Sequence, residues 1–386
     1  MPSPVVVVAG HICLDIIPAL PARAGGLADL LRPGALVQVG PAALSTGGAV
    51  SNTGLALHRL GIPTRLMGRV GDDLFGSAVR ELLRRHGPGL ADGLLTAAGE
   101  PTSYTVVVSP PGVDRVFLHC PGVNDTFAVA DVPYDELRGT RLFHFGYPPI
   151  MRCMFADGGD ELAHLLRTAR ARGPAVSLDM AFPDPASDAG RADWPALLAR
   201  VLPHVDLFLP SIDEILFMLR HPAHGQPWDG DTLADVAARL LDCGAAVVGL
   251  KLGDRGFYVR TTTDAGRLER LAAAAGGRLT AWPGREILVP CFAVEVAGTT
   301  GCGDCTIAGF LAGLLHGQSV DDAATAAVAV GACCAERPDA TSGVQPWDAV
   351  QARIGRGWRK LVTGPPWPGW DWDAARGLAR GPRDGR

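Results

Sequence analysis

The hydrophobic positions of the chain group into short apolar runs that are separated by amphipathic stretches. The first run, Pro4 to Leu14 (PVVVVAGHICL), is apolar enough for a strand buried on both faces, and it leads into Asp15. From Leu142 onward, the runs LFHFG, AVSLDM and VDLFLP alternate with stretches of helical spacing. This βαβα order predicts an α/β fold with a doubly wound, mostly parallel central sheet and helices on both faces. Ligands of such sheets bind at the carboxyl ends of the strands.

Other stretches predict elements outside this alternation. Thr102 to Leu118 alternates with period two around Pro110-Pro111-Gly112 and predicts a hairpin, and we interpret Thr262 to Pro283 as an insertion in another hairpin. Gly357 to Arg386 carries four of the eight tryptophans among prolines and glycines, without helical or strand spacing. We therefore expect a domain over residues 1–350, followed by a tail over 351–386 that packs as a strap on its surface.

Composition narrows the class of protein. The chain has 386 residues, of which 47% are hydrophobic and 19% charged, so it can bury a sizeable core. A formal net charge of -5 gives no reason to expect a nucleic-acid or membrane partner. The nine cysteines do not resemble a disulfide framework, and no apolar run is long enough for an export signal or a membrane span. We expect a soluble, cytoplasmic protein.

One stretch, Val296 to Phe310 (VAGTTGCGDCTIAGF), combines features that suggest chemistry. A β-branched run, Ile287 to Val296, precedes three glycines within six residues, and apolar residues then recur at helical spacing. This order predicts a strand, a glycine-rich turn and a helix. The N–H groups of Gly301, Cys302 and Gly303 would then point out of the helix N-terminus and form an anion hole. Asp304, in the first turn, could accept a proton from a hydroxyl, so the stretch suggests phosphoryl transfer.

Other interpretations of this stretch stay open on local evidence. A glycine-rich turn before a helix is often only a tight connection. The spacing is close to a dinucleotide-binding fingerprint, although little strand-like sequence follows to complete a βαβ unit. Cys302 and Cys305 form a CxxC pair, which lacks the second pair expected of a zinc site.

TTGCGD resembles the DTTGAGD signature of the ribokinase-like (PfkB) family of carbohydrate and nucleoside kinases. The resemblance implies that Asp304 is the catalytic base and that ATP and Mg²⁺ are the cofactors. The leading Asp of the signature, which in the family helps hold a monovalent cation, is Gly298 here. A requirement for K⁺ therefore stays open.

Further matches to the family follow in the correct order. Gly10 and Asp15 match the end of the first strand, and the family's GGxxxN signature is carried by Gly47, Gly48 and Asn52. The resemblance implies that Asp15, Gly47, Gly48 and Asn52 bind the substrate. It also implies a small β-sheet lid over the sugar, with strands from about 14–40 and 102–120. A homodimer through the exposed edges of this lid is predicted.

The nucleotide side of the family's site also has counterparts. Glu214 matches the Glu of an N-x-x-E motif that organises Mg²⁺, with Ser211 in place of the Asn. Lys251 occupies the Thr position of a T-x-G-x-x-G turn, where it could contact a phosphate or be a solvated surface residue. The resemblance implies nucleotide contacts by five residues: Lys251, Gly253, Gly256, Thr299 and Thr300.

The residues and the resemblance together predict ATP-dependent phosphorylation of a hydroxyl on a small sugar or sugar-like substrate. Nucleoside phosphorylation on the same fold is the first alternative. Gly298 and Ser211 motivate a second, a sugar- or nucleotide-binding regulator with weakened catalysis. A dinucleotide oxidoreductase is the third. P-loop and protein-kinase chemistry are set aside, because GxxxxGK[ST], HRD and DFG are all missing.

Overall fold

The computed structural model describes residues 5–21, 32–110, 115–277, 279 and 281–385, and its strands form two sheets. The strands are β1 (Val6–Gly10), β2 (Cys13–Pro18), β3 (Ala42–Gly47), β4 (Thr64–Gly71), β5 (Leu94–Ala97), β6 (Tyr104–Val108), β7 (Val116–Cys120), β8 (Leu142–Gly146), β9 (Ala175–Leu178), β10 (Leu207–Phe208), β11 (Val247–Lys251), β12 (Phe257–Thr261), β13 (Glu286–Val289), β14 (Asp371–Asp373) and β15 (Leu378–Arg380).

The α-helices of the described residues fill the connections between these strands. They are α1 (Ala49–Arg59), α2 (Leu74–His86), α3 (Arg152–Phe155), α4 (Asp160–Ala171), α5 (Asp188–Arg191), α6 (Trp194–Val201), α7 (Ile212–Met218), α8 (Gly230–Asp242), α9 (Ala265–Ala274), α10 (Cys302–Leu315), α11 (Val320–Ala335) and α12 (Trp347–Gly355).

The large sheet has the order β14-β15-β13-β12-β11-β10-β9-β8-β1-β4-β5. Its strands from β5 to β11 pair in parallel, and those from β11 to β14 pair antiparallel. Along β1, Val6 and Val8 face one apolar core, which includes α10 and α11, whereas Val7 and Ala9 face the other, which includes α4 and α6. Because successive side chains of a strand point to opposite faces, both faces are covered by helices. The predicted doubly wound α/β class is confirmed.

The first apolar run of the sequence is not one strand. It forms β1 in the large sheet, breaks at His11 and Ile12, and continues as β2 in the small sheet. The buried side-chain amide of Asn124 fixes this crossing, since it donates to the Ile12 carbonyl at 2.9 Å and accepts from the Ile12 N–H at 3.4 Å. Asp15 therefore lies within a strand of the small sheet, and its predicted place at the end of the first strand is wrong.

The small sheet is the predicted lid, with the order β3-β2-β6-β7. The hairpin of β6 and β7 is confirmed, although its predicted turn lies partly outside the described residues. Of the predicted range 14–40, the part that the structure describes contains most of β2 and no other strand. Besides β6, β2 pairs with β3, which comes later in the chain and ends at Gly47. The lid is thereby joined directly to the glycine pair that begins α1.

Two other expectations are wrong. The strand predicted over Ile287 to Val296 ends at Val289, so irregular chain leads from β13 to the glycine-rich turn. The tail is not a surface strap, because β15 pairs with β13 and extends the large sheet, with β14 at its edge. Thr262 to Pro283 does connect two antiparallel strands, β12 and β13, and contains α9.

Candidate active site

The glycine-rich turn forms the N-terminus of α10, as the sequence predicted. Gly301 adopts a left-handed conformation (φ 73°), and a Cβ atom there would lie 2.6 Å from the Ala340 carbonyl, so only glycine fits. The Cys302 N–H donates to the Thr299 carbonyl at 3.3 Å. That N–H is therefore engaged within the turn, contrary to the prediction. The first-turn N–H groups of Gly301 and Gly303 remain the expected anion donors.

Asp304 is the point at which several elements meet. Its side chain is buried, and it accepts hydrogen bonds from Asn52 Nδ2 at 3.0 Å and Thr53 Oγ1 at 3.3 Å, both on α1. The hydroxyl of Tyr147, just after β8, donates to the same carboxylate and lies 2.9 Å from Oδ1 and 2.8 Å from Oδ2. The predicted base and the predicted Asn52 are thus brought together across 252 residues of sequence.

The surroundings of Asp304 set its proton affinity. Burial raises the pKa of this carboxyl above its ordinary value. The positive charge of Lys251 opposes the rise, and the three hydrogen-bond donors oppose it further without cancelling it. A base with a raised pKa holds the proton of a hydroxyl more readily than an exposed aspartate does.

Lys251 ends β11 and lies under the glycine-rich turn. Its side chain is 12% exposed and its Nζ lies 2.6 Å from Asp179 Oδ1, so the alternative of a solvated surface lysine is wrong. The Nζ atom is also 3.8 Å from the position that a Cβ on Gly303 would take. Burial alone would lower the pKa of Lys251, but the carboxylates of Asp179 and Glu214 outweigh it and raise that pKa. Lys251 therefore stays an ammonium beside the anion hole.

Asp179 follows β9 and is completely buried. One of its oxygens binds Lys251, while Oδ2 has no hydrogen-bond partner among the described residues. Burial raises the pKa of Asp179, and the Lys251 charge opposes the rise. The pair places a fixed cation at the carboxyl edge of the sheet, where ligands of parallel sheets bind.

Glu214 lies in the first turn of α7 and forms a capping box with Ser211. Its Oε2 accepts from the Ser211 N–H at 2.7 Å, and the Ser211 hydroxyl accepts from the Glu214 N–H at 3.4 Å. Within the described residues, no group of three or more His, Cys, Asp or Glu side chains is arranged to hold a metal ion. Mg²⁺ bound with a nucleotide needs only one or two carboxylates besides phosphates, so the donor set fits such an ion. The metal-linked role of Glu214 stays a prediction.

The lid carries the predicted substrate-binding residues Asp15 and Gly47. Asp15 on β2 lies opposite Ser45 on β3 and Thr105 on β6, and a Cβ on Gly47 would fall 2.3 Å from its carboxylate. Burial raises the pKa of Asp15 to about 6, against hydrogen bonds from Cys13 and Thr105.

Gly48 continues this segment with a φ of 86°, and a Cβ there would collide with His11. Asn52, in the next helical turn, reaches Asp304. A single segment therefore links the lid carboxylate to the base.

The predicted nucleotide turn follows β11. Gly253 and Gly256 have φ angles of 60° and 110°, and a Cβ on Gly256 would fall 2.1 Å from the Val289 carbonyl. Thr300 accepts a hydrogen bond from a lid arginine, whereas Thr299 is exposed. A separate cavity of about 590 Å³ lies where residues 295–297 lead into the glycine-rich turn. Its lining is Glu295, Val296, Ala297, Cys333, Glu336, Arg337, Ser342, Gly343 and Gln345.

Sequence reasoning missed several residues that face this site. Tyr147 and Thr53 contact the predicted base, and Arg115, just before β7, donates from Nη1 to Thr300 Oγ1 at 2.6 Å. His11 and His119 meet below the lid with their Nε2 atoms 3.3 Å apart. One signal was available for Tyr147, because it directly follows LFHFG at the carboxyl end of a predicted strand. Nothing in the local sequence marks Arg115 or the histidine pair.

Comparison with known proteins identifies the family. The model of the pfkB family of carbohydrate kinases matches residues 5–347. The chain belongs to this family. An uncharacterized sugar kinase of Archaeoglobus fulgidus is 27% identical over 290 residues, which cover 75% of this chain and 98% of the relative. The 2-dehydro-3-deoxygluconokinase of Bacillus subtilis is 26% identical over 327 residues, with 81% and 87% coverage.

Solved structures agree with the fold of this pfkB kinase. Arabidopsis thaliana ribokinase, solved with ribose and ATP, superposes with a TM-score of 0.71 at 18% identity over 91% of this chain and 98% of the ribokinase. The predicted ribokinase-like fold and the predicted class of enzyme, a phosphotransferase that acts on a hydroxyl group, are confirmed. No helix among the described residues combines the length and apolar character needed to cross a bilayer.

Proposed function

We propose that this pfkB kinase transfers a phosphoryl group from ATP to a hydroxyl of a small sugar or sugar-like acceptor. The observation that carries the proposal is the buried Asp304 at the N-terminus of α10, with the Lys251 ammonium beside the same turn. A base next to a cationic anion hole is what this reaction needs, since catalysis of phosphoryl transfer is mostly positioning and charge stabilisation.

Each group has one role in the proposed mechanism. The Asp15 carboxylate accepts hydrogen bonds from hydroxyls of the sugar, and the Asn52 amide exchanges hydrogen bonds with them. These contacts orient the reacting hydroxyl toward the base. Asp304 takes the proton of that hydroxyl as the hydroxyl oxygen attacks the γ-phosphorus. The bond from that phosphorus to the bridging oxygen of ADP breaks, and ADP leaves. The Lys251 ammonium and the N–H groups of Gly301 and Gly303 stabilise the charge on the transferring group.

The nucleotide is proposed to lie along Gly253, Gly256, Thr299 and Thr300, whose backbone is open enough for close approach by phosphates. Glu214 would hold Mg²⁺ through water. When Mg²⁺ is bound with ATP, it would neutralise part of the phosphate charge. The ion pair of Lys251 with Asp179 supports this arrangement, because it keeps a cation at the phosphate end without an exposed side chain.

We also propose a homodimer through the lid and a kinase domain over residues 1–350, to whose large sheet the tail adds β14 and β15. The edge strand β7 exposes Val116, Phe117 and Leu118, which supports pairing of lids from two subunits. The family match over 5–347 supports the domain boundary.

The test of the function is ADP release from Mg-ATP over hexoses, pentoses, sugar acids and nucleosides. We expect turnover on a sugar and a loss of roughly 10²- to 10⁴-fold in Asp304→Asn, because that variant lacks the base. Asp213→Asn is the matched control, since Asp213 is also in the first turn of a helix but is exposed, and it should keep full activity.

Three outcomes would redirect the proposal. Unchanged turnover in Asp304→Asn removes the assigned base. Turnover on nucleosides alone replaces the acceptor class. Binding of ATP and acceptor without any turnover favours a regulator.

A further inference from the structure

Tyr147 makes closer contact with the base than any residue that the sequence singled out. Its hydroxyl lies 2.9 and 2.8 Å from the two oxygens of Asp304, so one donor contacts both oxygens of the carboxylate. The residue has a left-handed backbone (φ 68°), which is uncommon for a non-glycine residue. Such strain persists where the surrounding structure over-determines it, often at functional sites.

We propose that Tyr147 is a positioning residue whose hydroxyl holds the Asp304 carboxylate in the orientation that meets the acceptor hydroxyl. This inference rests on the proposed function. Asn52 and Thr53 anchor one side of the carboxylate from α1, and Tyr147 holds it from the end of β8. Without Tyr147, the carboxylate keeps its two α1 donors but loses the contact that spans both oxygens.

The donor also acts on proton affinity. A hydrogen bond to the charged form of a carboxylate lowers its pKa, so removal of Tyr147 raises the pKa of Asp304. Burial and the Asp304 charge raise the pKa of Tyr147 itself, which keeps it protonated. The other titratable groups that interact with Asp304 are those of Lys251, Asp179, Glu214, Cys302, Cys305 and Cys334.

The experiment is the pH profile of kcat for wild type, Tyr147→Phe and Tyr134→Phe. Tyr134 is a matched control, because its buried hydroxyl has no partner among the described residues. We expect Tyr147→Phe to lower kcat by roughly 10- to 100-fold, with acceptor KM nearly unchanged. The acid limb of its kcat profile should move to higher pH by about one unit, because the ionised Asp304 carboxylate loses a hydrogen-bond donor. Tyr134→Phe should match wild type.

An acid limb of Tyr147→Phe that coincides with wild type overturns the inference, even if kcat falls. If Tyr147→Phe folds poorly, 3-fluorotyrosine can replace Tyr147 instead. Its hydroxyl is a stronger hydrogen-bond donor, so the acid limb of the kcat profile should move to lower pH. An acid limb that stays in place overturns the inference. Failure of the proposed function is distinct, since then wild type itself shows no turnover on any acceptor.

A second inference concerns the alkali cation that the family resemblance implies. A site for such an ion needs several oxygens, typically free carbonyls that replace its water shell. Gly298 supplies no carboxylate, and a Cβ there would lie 3.0 Å from both the Arg337 carbonyl and Pro338 Cα. The Ala335 carbonyl already accepts from the N–H groups of Ala297 and Gly298, at 2.8 and 3.3 Å.

Thiols contact two further carbonyls beside the turn, whereas the Arg337 and Pro338 carbonyl oxygens lie 3.0 and 3.1 Å from the position that a Cβ on Gly298 would take. Cys334 Sγ donates to the Thr300 and Ala340 carbonyls at 3.3 and 3.2 Å, and Cys305 Sγ donates to Ala340 at 3.2 Å. Hydrogen bonding to Cys334 and burial raise the pKa of Cys302, which therefore remains a protonated thiol. An alkali cation at this turn would therefore lack the signature carboxylate, and it would compete with thiols for the Thr300 and Ala340 carbonyls.

We infer that this kinase works without an alkali cation and that the thiols of Cys302, Cys305 and Cys334 brace the glycine-rich turn instead. This inference also rests on the proposed function, but part of its test does not need turnover. The Thr299, Thr300 and Ala340 carbonyls have hydrogen-bond donors within the protein, so these three oxygens need no bound ion to satisfy them.

The test compares KCl, NaCl and tetramethylammonium chloride at equal ionic strength, with ADP measured directly by chromatography. We expect kcat within about twofold in all three salts, and equal thermal unfolding midpoints. A saturable rise of either quantity with K⁺ overturns the inference, and the unfolding midpoint reports on it even if no acceptor is found.

The bracing role has its own variants. Cys334→Ala should lower kcat roughly fivefold, because the Thr300 carbonyl loses its thiol donor while Ala340 keeps that of Cys305, and K⁺ should not restore it. Cys243→Ala is the control, since Cys243 caps the far end of α8. Equal kcat in Cys334→Ala and wild type, or rescue by K⁺, overturns the bracing role.

Discussion

At the scale of the residue, burial of Asp15 destabilises the fold at neutral pH, although the proposed function needs this carboxylate to be ionised. Its folded-state pKa of about 6 lies above its ordinary value, because burial in the lid penalises the charge. A carboxyl with a raised folded-state pKa contributes stability at low pH, and that contribution is lost as pH rises from about 4 to about 6. At neutral pH the ionised Asp15 therefore lowers the free energy of unfolding. The site retains this cost because an ionised carboxylate accepts hydroxyl hydrogen bonds strongly.

Asp15→Asn should consequently raise the unfolding midpoint at pH 7.5 while it raises the acceptor KM. In wild type, the acceptor KM should increase as pH falls below about 6, because the carboxyl becomes neutral. The variant should lose this dependence. Thermal unfolding and initial rates from pH 5 to 8 measure both effects, and a KM that does not change with pH in wild type would contradict the role of Asp15.

At the scale of the element, one buried carboxylate helps to bind the tail to the large sheet. Asp321, in the first turn of α11, lies 2.8 Å from Arg285, 3.2 Å from Arg376 and 2.9 Å from Arg380. Arg376 and Arg380 belong to the tail, and β15 pairs with β13 beside them. Asp384 and Glu286 add further ion pairs between tail and sheet, to Arg285 and Arg383, so several contacts hold a segment that has no strand spacing of its own.

Asp321→Asn should destabilise the protein by about 3–5 kcal/mol, because it removes the shared partner of three arginines in a buried network. Asp322→Asn is the matched control, since the neighbouring carboxylate is 57% exposed and should matter by less than about 1 kcal/mol. Urea unfolding measures the difference, and limited proteolysis should cut the tail first in Asp321→Asn. Equal unfolding free energies in the two variants would show that strand pairing alone holds the tail.

At the scale of the whole molecule, the site exists because distant segments end at one edge of the sheet. Asn52, Tyr147, Lys251 and Asp304 come from α1, the ends of β8 and β11, and α10. The lid adds Asp15 and Arg115 from the small sheet. The dimer through the lid stays a prediction.

The sequence by itself determined the parts whose chemistry is local. Alternating apolar runs predicted the α/β class, and the glycine spacing of TTGCGD predicted the turn and the helix, because backbone geometry at a helix N-terminus depends on a few neighbouring residues. That Asp304 is the base stays a prediction. Only the tertiary structure decided the rest. Contacts between residues far apart in sequence decide whether Lys251 is solvated, which donors hydrogen-bond to Asp304 and where the tail lies. Such contacts leave no periodic signal, because each is made by a single side chain whose partner is set by the packing of the sheet.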